Sequence, residues 1–136
     1  MIKGKALARR LDHVGIVVRD INASLPYYID VLRMTVSSEL LLDDGSARVA
    51  YLEIGDTSLQ LLQPLKPGPL ADFLDQHGEG LHHICLQVDD ISNAVAELSE
   101  SGTVDAIRQG GRGDRVSFIS ATPNGVPIEL SERAPA

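Results

Sequence analysis

The stretch Gly80-Leu81-His82-His83-Ile84-Cys85-Leu86-Gln87-Val88-Asp89-Asp90-Ile91 has a counterpart near the N-terminus, Leu11-Asp12-His13-Val14-Gly15-Ile16-Val17-Val18-Arg19-Asp20-Ile21. A shift of 70 positions superimposes Leu11 on Leu81, His13 on His83, Val18 on Val88, Asp20 on Asp90 and Ile21 on Ile91. Both stretches are short, apolar and rich in β-branched residues, which marks them as strands. Side chains alternate along a strand. His13, Gly15 and Val17 therefore share one face, small and partly polar, as in a cleft lining. Val14, Ile16 and Val18 share the other, uniformly branched, as under a helix.

Working outward, Asp20 and Asn22 are N-cap candidates for a helix to about Leu32, with Leu25, Tyr28, Ile29 and Leu32 on one side and Pro26 in or near its first turn. Strands are expected over 34–42, 48–54 and 57–62, with Asp43-Asp44-Gly45 as a hairpin turn. Residues 63–80 are rich in Pro and Gly around a short helical piece at 70–76 and read as a linker. The order then repeats. A strand over 81–88 precedes a helix capped by Asp90 or Ser92 and running to about Ser101. A looser glycine-rich stretch leads to strands over 115–120 and 126–130, with Pro123-Asn124-Gly125 turning between them. The expectation is an α+β fold of two tandem βαβββ modules, about 10–65 and 80–132 with a linker at 66–79, forming a single domain of 136 residues.

Four positions stand out by symmetry. His13 and Gln60 are 47 residues apart, and His83 and Glu129 are 46 apart. Each half thus places an imidazole on its first strand and an oxygen donor on its last. Two imidazoles and two oxygens suit a divalent first-row metal such as cobalt, manganese, nickel or zinc. Four ligands on an octahedral ion leave two coordination positions for substrate oxygens. A carboxylate in an apolar run, as at Glu129, costs several kcal/mol (order of magnitude) unless it is paired or bound to metal. His82 falls on the face opposite His83 and reads as a supporting or surface group. His77 has no assigned role, Asp89-Asp90 reads as a helix cap, and Cys85 as a buried, inert thiol.

Composition narrows the partners. The net charge of −7 and the 4% aromatic content argue against nucleic acid and against an anionic membrane surface. Lys3, Lys5, Arg9 and Arg10 form a short basic leader with no apolar signal core behind it. No run approaches the ~20 apolar residues of a membrane span. A single cysteine allows no internal disulfide and fits a reducing compartment, so a cytoplasmic location is expected. Exposed strand edges at the seam between modules make a homodimer the expected assembly.

On these residues the chain resembles the vicinal oxygen chelate superfamily of glyoxalases, bleomycin-resistance proteins and extradiol dioxygenases, over nearly all of residues 10–132. Within it, LDHVGIVV, DVLRM, GLHHICLQVDDI and GVPIEL are most similar to the methylmalonyl-CoA epimerase family. The resemblance implies a metal held by His13, Gln60, His83 and Glu129. It also implies an acyl-CoA substrate whose thioester and carboxylate oxygens chelate that metal, and 1,1-proton transfer through an enolate. Two acid/base groups are needed to invert a centre. Some members supply one from a glutamate on the third strand, where this chain has Val49. Tyr51 and Glu53 follow on the same face, leaving Glu129 and Glu53 as the acid/base candidates. Arg33 stands where the family usually has glycine, and Ser120-Ala121-Thr122 where it commonly has His-Pro-Lys. The alternatives are a glyoxalase-like lyase or isomerase on another chelating substrate, and a non-catalytic small-molecule binder of the same fold.

Overall fold

A computed structural model describes residues 6–99, 104–119 and 122–132. Lys3 and Lys5 of the basic leader, Ser101 at the expected end of the second long helix, and Ser120 and Ala121 lie outside the described residues. Among those described, eight strands and three α-helices follow the order expected of an α+β chain with two βαβββ modules. The first module is β1 (Arg10–Val17), α1 (Ile21–Pro26), β2 (Thr35–Leu41), β3 (Ala47–Ile54) and β4 (Thr57–Pro64). After the connecting α2 (Pro69–His77), the second is β5 (Gly80–Gln87), α3 (Ile91–Ser99), β6 (Arg108–Gln109), β7 (Arg115–Ile119) and β8 (Ile128–Glu132). No helix among the described residues is long and apolar enough to cross a membrane.

Two compact units divide the chain, one over His13–His83 and the other from Ile84 onward together with the segment up to Asp12. In the first, β3 pairs antiparallel with both β2 and β4, and β4 pairs parallel with β1. Residues across the sheet align in rows: His13–Ser58–Glu53, then Gly15–Gln60–Tyr51, then Val17–Leu62–Val49. All of these point to one face. The opposite face carries Ile16, Val18, Ala50, Leu52 and Leu61, packed against Ile21 and Leu25 of α1. Complete burial of a side chain the size of Ile21 stabilises by about 1.5–3 kcal/mol.

In the second unit, β8 pairs parallel with β5 and antiparallel with β7, which pairs with β6. Val88, Ile91, Ala94 and Leu130 form its core. The repeat read from the sequence extends to individual hydrogen bonds. The Val18 N–H donates to the Leu62 carbonyl at 2.9 Å, and the Val88 N–H to the Ser131 carbonyl at 2.8 Å. The pair Gly15–Gln60 in one repeat is matched by Cys85–Glu129 in the other.

Two expectations need correction, and one pair of alternatives is resolved. The first helix is α-helical only to Pro26, which ends α1 instead of starting it, and Tyr27–Val31 is a π-helical turn. Proline has no N–H to give the helical ladder, and the following turn widens, with the Leu32 N–H reaching the Tyr27 carbonyl at 3.1 Å. Ile29 and Leu32 consequently leave the expected apolar side and are exposed. The loose stretch of the second module contains β6, a two-residue strand, both of whose residues are exposed, too short for periodicity to reveal. Asp90, not Ser92, caps α3: its Oδ1 accepts from the Asn93 N–H at 3.1 Å, while Ser92 accepts from Arg115.

Candidate metal centre

β1 and β5 each enter with a histidine because a polar residue interrupts an otherwise apolar strand, and in both the ring is buried. The Nε2 atoms of His13 and His83 lie 3.2 Å apart, with the rings edge to face at 5.3 Å. Two nitrogens bound to one cation at about 2.0–2.1 Å, the usual zinc–imidazole length, would stand about 2.8–3.0 Å apart at right-angle and about 3.3–3.4 Å apart at tetrahedral geometry, and the observed spacing falls between the two.

His83 reaches its place because Gly15 leaves room for it. A Cβ on Gly15 would stand 2.2 Å from His83 Cε1, closer than real side chains ever approach. Gly15 pairs with Gln60 on β4, so the His83 ring sits over the row that carries Gln60 and Tyr51. The Gln60 Nε2–H donates to the Tyr51 hydroxyl at 2.9 Å. Its Oε1 is buried and has no hydrogen-bond partner among the described residues. A buried amide oxygen without a partner costs about 1–3 kcal/mol. Two imidazole nitrogens at ligand spacing and one unsatisfied amide oxygen fit a divalent cation, and the donor set is of the right chemical type.

The other ring nitrogen of His83 is also engaged: its Nδ1 is 2.8 Å from His82 Nδ1. Adjacent strand residues ordinarily face apart, yet the His82 ring turns back, edge-on to Phe73 of α2 at 4.7 Å. Orienting the non-ligating nitrogen in this way sets the tautomer of a metal-binding histidine. His82 is thus a supporting group for His83. His77 stacks on Phe73 at 4.5 Å.

Glu129 is buried on β8, paired with Cys85 in the second unit. Cys85 is fully buried; that burial, followed by the Glu129 charge, pushes its thiol far above the ordinary range and keeps it protonated. Glu53 is exposed, and its carboxylate accepts from Ser37 Oγ at 2.7 Å and Ser58 Oγ at 2.9 Å, in the row that begins with His13. Val49 is fully buried with Ala47, Tyr51 and Leu62, two rows from Glu53.

Two features of the structure leave no mark in the sequence pattern. Strand alternation places Tyr51 on one face with Glu53, but nothing in the pattern ties a phenol to Gln60. In the second unit, Arg112 of the glycine-rich loop reaches Asp12, 100 residues away, at 2.7 Å. Asp12 has no exposed surface, and Arg10 lies 4.0 Å from its other oxygen. Asp114, two residues beyond Arg112, is raised above the ordinary carboxylate range, chiefly by burial and then by the charges of Asp12 and Glu129. No periodicity marks either group.

Comparison with known proteins agrees with this architecture. Residues 12–118 match the family model of the glyoxalase/bleomycin resistance protein/dioxygenase superfamily. The mitochondrial methylmalonyl-CoA epimerase of Homo sapiens is 33% identical over 129 residues, which covers 90% of this chain and 73% of that protein. The crystal structure of methylmalonyl-CoA epimerase from Mycobacterium tuberculosis, 33% identical, superposes with a TM-score of 0.89 over 98% of this chain and 94% of that one. A variant of the Streptomyces coelicolor methylmalonyl-CoA epimerase in complex with 2-nitronate-propionyl-CoA, 28% identical, gives a TM-score of 0.86 over 93% and 96%. By the extent of the family match and by these relatives, the chain belongs to the glyoxalase/bleomycin resistance protein/dioxygenase superfamily.

Proposed function

We propose that this protein is a metal-dependent epimerase of an α-substituted malonyl-CoA thioester, acting by 1,1-proton transfer. The observation that carries the proposal is the 3.2 Å approach of His13 and His83 Nε2 beside a row holding the unpartnered Oε1 of Gln60. The names of the relatives support the acyl-CoA class. His13, Gln60 and His83 are three of the proposed ligands. Glu129 is assigned as the fourth because it holds in the second repeat the register position that Gln60 holds in the first. A bound divalent cation would supply fixed positive charge opposite the substrate oxygens, where negative charge develops as the α-proton leaves.

The chain's carboxylates carry the proton. One carboxylate takes the α-proton from one face of the carbon, and a second carboxylic acid returns a proton to the other face. The product is the opposite epimer, with no net gain or loss of protons. Glu129 and Glu53 are assigned these two roles. For Glu53 the support is its row, shared with His13, and its two serine donors, which fix the carboxylate in one orientation. Val49 cannot serve, being an apolar side chain buried among others.

The test is deuterium incorporation at the α-carbon of racemic methylmalonyl-CoA in heavy water, with and without added metal. Metal-dependent incorporation is expected. Its absence, together with turnover of a hemithioacetal or hydroxy-keto substrate, would transfer the site to glyoxalase-like chemistry; ligand binding unchanged by a chelator would mark a non-catalytic binder.

A further inference from the structure

A carboxamide is nearly symmetric in shape, but only its oxygen offers a lone pair to a cation, while its NH2 end offers hydrogens. A glutamine can serve as an oxygen ligand only if something decides which end it presents. The residue that holds one end is Tyr51, whose hydroxyl can accept from an N–H or donate to a carbonyl and here accepts. It is the direct cross-strand partner of Gln60, is only 2% exposed, and its ring stands edge-on to His13 at 5.8 Å. Its hydroxyl accepts the Gln60 Nε2–H at 2.9 Å, and Oε1 is the end left buried without a partner.

We propose that Tyr51 is a positioning residue: its hydroxyl holds the amide end of Gln60 and so presents Oε1 to the cation. This rests on the metal reading above and goes beyond it, since it makes the ligand at position 60 a two-residue device. A phenylalanine at position 51 would fill the same space against His13 but leave the carboxamide free to turn. A glutamate at position 60 would need no such hold, because both of its ends are oxygen.

The experiment measures cobalt(II) affinity by competition with a chromophoric chelator for the wild type, Tyr51→Phe, Gln60→Glu and the double variant, each checked for native circular dichroism. Alongside it, proton exchange of the Gln60 side-chain amide is followed by NMR in metal-free protein. Tyr51→Phe is expected to weaken cobalt binding by about tenfold or more, the usual effect of losing a group that orients a ligand. In the Gln60→Glu background the same change should cost less than about twofold. Amide protection present in the wild type should be lost in Tyr51→Phe. Equal affinity of wild type and Tyr51→Phe, or the same loss in both backgrounds, overturns the role of Tyr51 while leaving the metal site intact. Failure of the wild type to bind cobalt removes the metal reading instead, and the NMR arm then decides whether Tyr51 holds the amide.

Discussion

The imidazole of His83 occupies the space that a side chain on Gly15 would need, with Cε1 only 2.2 Å from the ideal Cβ position. Gly15→Ala therefore forces the ring or the strand to move. Overpacking of this kind costs about 1–3 kcal/mol. Both denaturant stability and metal affinity are expected to fall, whereas a substitution on the solvent side would change neither.

Arg33 follows the π-helical turn with φ of 56°, a left-handed conformation that L-residues adopt at a cost of about 1–2 kcal/mol. The Met34 N–H closes the turn on the Tyr28 carbonyl at 2.9 Å. Arg33→Gly relieves the strain but frees the unfolded chain, so a net gain of about 0.5–1 kcal/mol is expected. Urea unfolding with an unchanged m-value would confirm it.

The Asp12 carboxylate is wholly buried and its nearest guanidinium is that of Arg112. Arg112→Met should cost on the order of 3 kcal/mol, because it removes a close ion-pair partner of a buried charge. Adding Asp12→Asn should recover part of that loss. A double-mutant cycle with no coupling would show that the ion pair contributes nothing.

Asp114 gives a pH dependence of definite sign. Its carboxyl is raised above the ordinary value in the folded chain, so the fold favours the protonated form. Its contribution is therefore fully present below the unfolded-state value, about 3.9, and is lost as pH rises through the raised one. Asp114→Asn should stabilise at neutral pH, and the advantage should vanish on acidification through that window. Chemical denaturation of both proteins across pH measures it directly.

Glu53 is the second proton carrier in the proposed reaction, and Glu53→Gln keeps an oxygen for Ser37 and Ser58. The variant should fold and bind metal normally while losing about 10²–10⁴-fold in epimerisation. Unchanged turnover would move the role to another group. Val49→Glu is not the complementary rescue, since it would bury a carboxylate among Ala47, Tyr51 and Leu62; loss of stability is expected instead.

The repeated imidazole strand, the two βαβββ modules and the matched places of Gln60 and Glu129 on the last strand of each half were legible in the sequence; the register that pairs Gly15 with Gln60 and Cys85 with Glu129 was not. The legible features rest on periodicity, and alternation along a strand is a local property that every few residues restate. The ends of elements were less legible. Pro26 shifts the first helix into a wider turn, and β6 is too short to leave a pattern. What only the tertiary structure decided are contacts between residues with no sequence rule to join them. Tyr51 on the Gln60 amide, His82 turned onto its own neighbour, Arg112 on Asp12 and His83 filling the gap above Gly15 are all of this kind. Sequence dictated which face each side chain would occupy; the packing of strands against one another selected which atoms on that face would meet.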